Sequence, residues 1–219
     1  KGISYAVTSN GAAIYNKKTG ERIHGVAIEY VDLHSILDAF AHYFHNGQIT
    51  YEAFVDGVAY GGRAYVEHPE AFGVPERNVA YVQSTRKPVD DIIAFLSEHE
   101  EELDSLDIVA ADTALYKKIE EQIPLVTKSV YTTSAVSYRL EISHKNSGKA
   151  TGLAYVLKLL GITPEETVAF GDGDNDAEML EFAGLGVAME NATENCKAAA
   201  DIVCDCCKND GVARFLYGF

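Results

Sequence analysis

The last third of the chain carries the most regular alternation of apolar and polar positions. Leu153, Val156, Leu157 and Leu160 fall at i, i+3, i+4 and i+7, which predicts an amphipathic helix over 149–160 stopped by Gly161. Thr163, Pro164 and Glu166 supply an N-cap, a first-turn proline and a capping-box acid for a second, short helix. Thr167-Val168-Ala169-Phe170 then reads as a buried strand. After Gly171-Asp172-Gly173-Asp174-Asn175-Asp176, helical composition returns over 177–182, with Gly184 as the stop. The pattern repeats with a strand over 186–189, a helix through Ala199 capped by Asn191 or Thr193, a strand over 202–204 and a last helical turn over 212–216. Strands, short loops and capped helices in this order predict a parallel sheet.

The middle of the chain has another rhythm. Residues 22–30 read as extended, and Asp32 is the expected cap of a helix through His45, with Leu33, Ile36, Leu37 and Phe40 on one face and Asn46-Gly47 at its end. Asp56-Gly57 between apolar runs over 49–54 and 59–66 predicts a hairpin. An irregular stretch over 68–78 precedes a helix near 89–100, a strand near Ile108, a helix over 113–123 and two strands ending near Ser143. This α+β unit, 23–143, is expected to be inserted between two pieces of an α/β domain, 1–22 and 144–219. The first piece carries Ser9-Asn10-Gly11-Ala12 after the apolar strand Tyr5-Ala6-Val7.

Composition narrows the possible partners. The 219 residues carry 18 Lys+Arg against 33 Asp+Glu, a net charge of −15 that would repel a phosphate backbone along any extended contact, so no nucleic-acid partner is expected. A local lysine, a helix N-terminus and a metal cation can still hold one small phosphate. No apolar run approaches the roughly 18 residues that span a bilayer, so no membrane partner is expected. The cysteines are Cys196, Cys204, Cys206 and Cys207, clustered as reduced thiols of a cytoplasmic protein would allow and lacking the ligand set of a zinc clip. With Lys1 first and Met179 and Met189 as the only methionines, the sequence is expected to continue upstream.

The candidate chemistry lies in 172–176. Three carboxylates and an amide just past a buried strand and just before a helix stand where open α/β sheets bind ligands, and hard oxygen donors suit Mg²⁺. Asp172, first off the strand, is the expected direct ligand. An acidic helix-capping loop is the plain alternative, but capping needs one such residue, not four beside Gly171 and Gly173. An EF-hand fails because Ala177 stands where its glycine is required and Ala183 where its bidentate glutamate is required. Lys149, at the positive end of a predicted helix after Ser147-Gly148, is placed to hold a phosphoryl oxygen. His42 and His45 share a helix face without a third metal ligand. Tyr51, Tyr60, Tyr65 and Arg63 beside the hairpin are available to a substrate, with packing the expected role of the tyrosines.

Several segments in order resemble the haloacid dehalogenase-like hydrolases, specifically the Cof-type phosphatases with a large cap. They are Ser9-Asn10-Gly11-Ala12, Lys149, Phe170-Gly171-Asp172-Gly173-Asp174-Asn175-Asp176, Gly186-Val187-Ala188-Met189-Glu190-Asn191-Ala192, Ala200-Asp201-Ile202-Val203 and Asn209-Asp210-Gly211-Val212. The resemblance implies an α/β, Rossmann-like core with an inserted α+β cap that closes over the site. It also implies Mg²⁺-dependent hydrolysis of a small phosphorylated metabolite, such as a sugar phosphate, through an aspartyl-phosphate. By position, Lys149 would hold the phosphoryl group, Asp172 would bind Mg²⁺, Asn175 would touch phosphate, Asp176 would support the metal shell and Asn10 would face the cleft.

The family's nucleophile and general acid/base lie in a DxDGT-like run at the end of the first core strand, and nothing before Ser9 supplies it. The N-terminal part of the core is therefore expected to be missing from this sequence, and the chain alone to be inactive. A phospholigand-binding or regulatory protein without catalysis is the alternative expectation, and a phosphotransferase or phosphomutase a further one.

Overall fold

A computed structural model of the chain describes residues 2–218 and contains two compact units, one ending at Ser147 and the other beginning at Gly148. Among the described residues, no helix is long and apolar enough to cross a membrane.

The first unit opens with β1 (Tyr5–Thr8), β2 (Ala13–Asn16) and β3 (Arg22–Gly25), an antiparallel three-stranded sheet. It continues with α1 (Tyr30–His45), β4 (Ile49–Val55), β5 (Val58–Gly62), α2 (Arg63–Glu67), α3 (Glu76–Thr85), β6 (Arg86–Val89), α4 (Ile92–Glu98), β7 (Leu103–Ala110), α5 (Thr113–Val126), β8 (Val130–Val136) and β9 (Arg139–His144). The six later strands form one mixed sheet in the order β6-β5-β4-β7-β9-β8. Residues 1–22, assigned from the sequence to the same domain as 144–219, group with 23–147: β2 pairs with β3, and Arg22 is bonded to Asp56 and Asp104.

Alternation along the central strands gives this sheet two different faces. Tyr51, Ala53, Leu106, Ile108, Leu140 and Ile142 face one way and form the main core with α1, α4 and α5. Glu52, Phe54, Ser105, Asp107, Arg139, Glu141 and Ser143 occupy the alternate positions. In an antiparallel sheet that polar face is commonly solvated, yet here Glu52, Ser105, Asp107 and Ser143 are buried.

Three local expectations change. The helix begins at Tyr30 with Glu29 as its cap, and Asp32 sits inside its first turn, buried and accepting a hydrogen bond from Thr127 Oγ1. The second arm of the hairpin ends at Gly62 instead of running to Val66. The chain turns there into α2, and a side chain at Gly61 would press on Tyr65 at 3.0 Å. The tight Asp56-Gly57 turn itself forms as expected, with φ of 51° and 74°, the left-handed pair that a two-residue hairpin needs. Helix α3 has no counterpart in the sequence reading, because Val82 is its one buried residue and no apolar stripe marks it.

The second unit follows the sequence reading closely. It contains α6 (Lys149–Leu160), β10 (Val168–Gly171), α7 (Ala177–Phe182), β11 (Leu185–Met189), α8 (Glu194–Ala198), β12 (Ile202–Cys204) and α9 (Gly211–Tyr217). The strands form a parallel sheet in the order β10-β11-β12, over a core of Ala169, Leu180, Val187, Ala188, Met189 and Cys196. Gly161 ends α6 with φ 67°, the Thr163–Glu166 capping box forms around a single 3₁₀ turn, and Thr193 caps α8.

Candidate functional site

The acidic loop leaves the C-terminal end of β10 and folds back on itself. Asp176 is buried, and its Oδ2 accepts hydrogen bonds from the backbone N–H groups of Asp172 at 2.9 Å and Gly173 at 3.0 Å. Its Oδ1 accepts from Lys149 Nζ at 2.5 Å, and the same ammonium donates to Asn175 Oδ1 at 3.0 Å. Asp176 thus joins the N-terminus of α6 to the loop before α7 through one carboxylate. Asp174 is held differently, by Thr193 Oγ1 at 2.6 Å, while the Thr193 N–H donates to the Asp172 carbonyl at 3.1 Å.

Asp172 stands apart from this network. Its side chain is exposed, and its carboxylate has no hydrogen-bond partner among the described residues. Near these carboxylates the Cys196 thiol is pushed up by burial and then by the charges of Asp176, Asp172 and Asp174.

Two glycines permit the fold-back. A Cβ on Gly171 would lie 2.4 Å from Asp176 Cβ, and one on Gly173 would lie 2.8 Å from Asn175 Oδ1. Gly171→Ala is therefore expected to cost about 1–3 kcal/mol, as overpacking does, because the obstructing Asp176 Cβ is tied to the backbone. Urea unfolding measures this, and an unchanged midpoint would show that the loop relaxes freely.

The structure therefore brings Lys149, Asn175 and Asp176 into one bonded group, with Asp172 beside them. Asn10 lies in the other compact unit, in a turn where Ser9 and Asn10 have φ of 48° and 49°, and its amide donates to Glu141 Oε2 at 2.7 Å. Among the residues near the hairpin, Tyr51 is in the core, Tyr60 packs on Phe95, and Arg63 is exposed and paired with Asp90. Tyr65 is buried, its hydroxyl donating to Glu52 Oε1 at 2.5 Å.

Sequence reasoning missed the group around Glu52. Glu52, Asp107 and Glu141 stand directly opposite one another across β4, β7 and β9. A row of like charges destabilises a sheet unless countercharges meet it. Arg139 reaches all three carboxylates, at 3.7 Å to Glu52, 3.3 Å to Asp107 and 2.9 Å to Glu141, and Arg86 holds Glu52 bidentately at 2.9 and 2.8 Å. Burial holds the Asp107 carboxyl well above the ordinary range against the pull of Arg139, with Glu52 and Glu141 adding to the rise. The period-two placement of charges in 139–143 was the available signal.

Among the described residues, no three His, Cys, Asp or Glu side chains converge as a metal-holding cluster. The donor set at Asp172 still fits Mg²⁺, which takes one or two protein carboxylates and completes its octahedron with water and phosphate oxygen.

Comparison with known proteins gives the family. Residues 1–216 match the family described as haloacid dehalogenase-like hydrolase. The chain is 32% identical over 162 residues to the phosphoglycolate phosphatase of Methanopyrus kandleri, covering 71% of this chain and 68% of that protein. It is 29% identical over 235 aligned positions to the phosphatase YwpJ of Bacillus subtilis, covering 97% and 78%. Three further curated relatives are matched over only 15%, 35% and 28% of their lengths. A haloacid dehalogenase-like hydrolase from Bacillus subtilis has the same fold with a TM-score of 0.79 at 23% identity, over 97% of this chain and 78% of that one.

Proposed function

We propose that this chain, which belongs to the haloacid dehalogenase-like hydrolases, acts in a Mg²⁺-dependent phosphatase that hydrolyses small phosphorylated metabolites such as sugar phosphates. The observation that carries this reading is the loop after β10, where a lysine ammonium is held by Asp176 and Asn175 next to an exposed, unpartnered carboxylate on Asp172. The relatives named as phosphatases add to it.

In this reading each residue of the loop has a distinct task. Asp172 supplies the direct oxygen ligand to Mg²⁺. The ion, when bound, neutralises charge on the phosphoryl oxygens. Asp176 is occupied by Lys149 and two backbone amides, so it positions the ammonium and shapes the loop. Lys149 presents its remaining donor capacity to a phosphoryl oxygen at the N-terminus of α6, where backbone N–H groups also favour an anion. Asn175 adds a polar contact beside it.

Phosphoryl transfer in this scheme passes through an aspartyl-phosphate: an aspartate carboxylate oxygen bonds to phosphorus as the ester P–O bond breaks and the alcohol leaves with a proton, and water then attacks that phosphorus, releasing inorganic phosphate and restoring the carboxylate. None of Asp172, Asp174 and Asp176 is the attacking carboxylate, since the first is assigned to the metal and the other two are engaged with Thr193 and Lys149. In this reading the unit that carries the loop, 148–219, belongs to the catalytic core and the α+β unit over 23–143 is the cap. The free thiols support a cytoplasmic setting.

Lys149→Ala tests the phosphate assignment directly. A charge-assisted hydrogen bond contributes about 1.5–3 kcal/mol, so inorganic phosphate should bind at least about tenfold more weakly. Calorimetric titration giving equal affinity would remove the role.

A further inference from the structure

A cavity of about 410 Å³ lies wholly within the first unit, at the end of the six-stranded sheet where β4 begins and β5 ends. That volume falls within the range of small-molecule sites. Its walls are mainly apolar, with Phe44 from α1, Tyr65 from α2, Phe72 from the turn that follows and Ile92 from α4. Tyr65 and Phe72 meet edge to face, with ring centroids 5.6 Å apart. None of the residues assigned above to phosphate or metal lines this cavity.

One polar side chain in the wall is left unanswered. Thr50 is only 4% exposed, and its hydroxyl has no hydrogen-bond partner among the described residues. A hydroxyl withdrawn from bulk water without a partner costs free energy, and a ligand that bonds to it removes that cost. A Cβ built on Gly62, also in the wall, would lie 3.9 Å from Thr50 Oγ1 and 3.8 Å from the side chain of Ile92. The hydroxyl therefore borders the same part of the cavity as the start of α4, where Asp91 stands.

Charge selects the ligand. The mouth carries Asp90, Asp91 and a single cation, Arg63. Arg63 is already engaged, its Nε donating to Asp90 Oδ1 at 2.7 Å and its Nη1 lying 3.8 Å from Glu67. Asp91 uses Oδ1 to cap α4, accepting from the N–H groups of Ile93 and Ala94, while Oδ2 has no partner among the described residues. An anion would find the guanidinium taken and carboxylates around it. A wholly apolar ligand would leave the Thr50 hydroxyl unanswered. An ammonium carries three N–H donors, which suit a hydroxyl and carboxylate oxygens, and aromatic faces favour a cation near them. The net charge of −15 adds a long-range pull of the same sign.

We propose that this cavity binds a small organic ammonium, a protonated primary amine on an apolar or aromatic body. The site belongs to the first unit alone and is independent of the phosphate chemistry proposed above. Thr50 and Asp91 select the cationic head, and Phe44, Tyr65 and Phe72 receive the body.

NMR titration of the full chain with benzylammonium chloride tests the proposal, with benzyl alcohol and benzoate as probes that keep the ring and change the head. Benzylammonium should shift the signals of Thr50, Tyr65 and Phe72, and benzoate should not. It should bind at least about tenfold more tightly than benzyl alcohol, as a charge-assisted hydrogen bond implies. Asp91→Asn keeps a good helix cap while removing the charge, so it should weaken benzylammonium severalfold and leave benzyl alcohol unchanged, a pattern that unfolding does not produce. Thr50→Val, which removes only the hydroxyl, should also weaken benzylammonium severalfold. Benzylammonium leaving these signals unmoved, either control binding as tightly, or both variants keeping full affinity overturns the proposal.

Discussion

Asp172→Ala is expected to lower Mg²⁺-dependent hydrolysis of phosphate esters by the full-length protein by about a thousandfold, the equivalent of roughly 4 kcal/mol of lost charge stabilisation. The same change should leave stability within about 0.5 kcal/mol of the parent, because the carboxylate is exposed and bonded to nothing among the described residues. The backbone N–H of residue 172, which donates to Asp176, survives the substitution. Activity measured across a Mg²⁺ titration, beside a urea unfolding curve, separates the two effects. Unchanged turnover would sink the metal assignment. Asp174→Ala is the informative control, since one oxygen of that carboxylate is held by Thr193.

The largest effect on stability is expected at Arg86. Its guanidinium and the Glu52 carboxylate are almost completely buried against each other, at 3% and 0% exposure. Arg86→Met leaves Glu52 buried in the row with Asp107 and Glu141 after losing its bidentate partner, and breaking a pair in this way costs about 3–5 kcal/mol. Removing both charges together, as Arg86→Met with Glu52→Met, should recover most of that loss, because an apolar pair of similar volume carries no desolvation penalty. Chemical denaturation of the two single variants and the double variant closes the cycle. A loss below about 1 kcal/mol for Arg86→Met would mean that Arg139 and Tyr65 suffice to hold Glu52.

Both results bear on how much of the protein is written locally. In 148–219 the sequence signals are short-range: an i, i+3, i+4 stripe, a glycine stop, a capping box, and a glycine-flanked acidic loop between a strand and a helix. The glycine stop, the capping box and the fold-back of the loop are satisfied within a few residues of where they are read, so β10, the loop and α7 form as the pattern predicts, whereas of the stripe on α6 only Leu157 is buried. The first unit is less legible. Helix α3 buries only Val82 and carries no stripe, and the turn from β5 into α2 depends on Tyr65 and Val66 packing at Gly61. Asp32 looks like a cap in sequence, yet its partner is Thr127, far along the chain.

By itself the sequence determined the alternation of elements in the second unit, an amphipathic helix ending at His45 and another over 113–123, the hairpin turn and the chemical type of the acidic loop, all of which depend on backbone preference and near-neighbour contacts. Tertiary structure alone decided that Lys149 meets Asn175 and Asp176, and that Glu52, Asp107 and Glu141 align in one register under Arg139. Charges at alternate strand positions read equally well as a solvated face. Whether such a face is wet or enclosed is set by what packs over it, and burial is what makes its ion pairs costly to break.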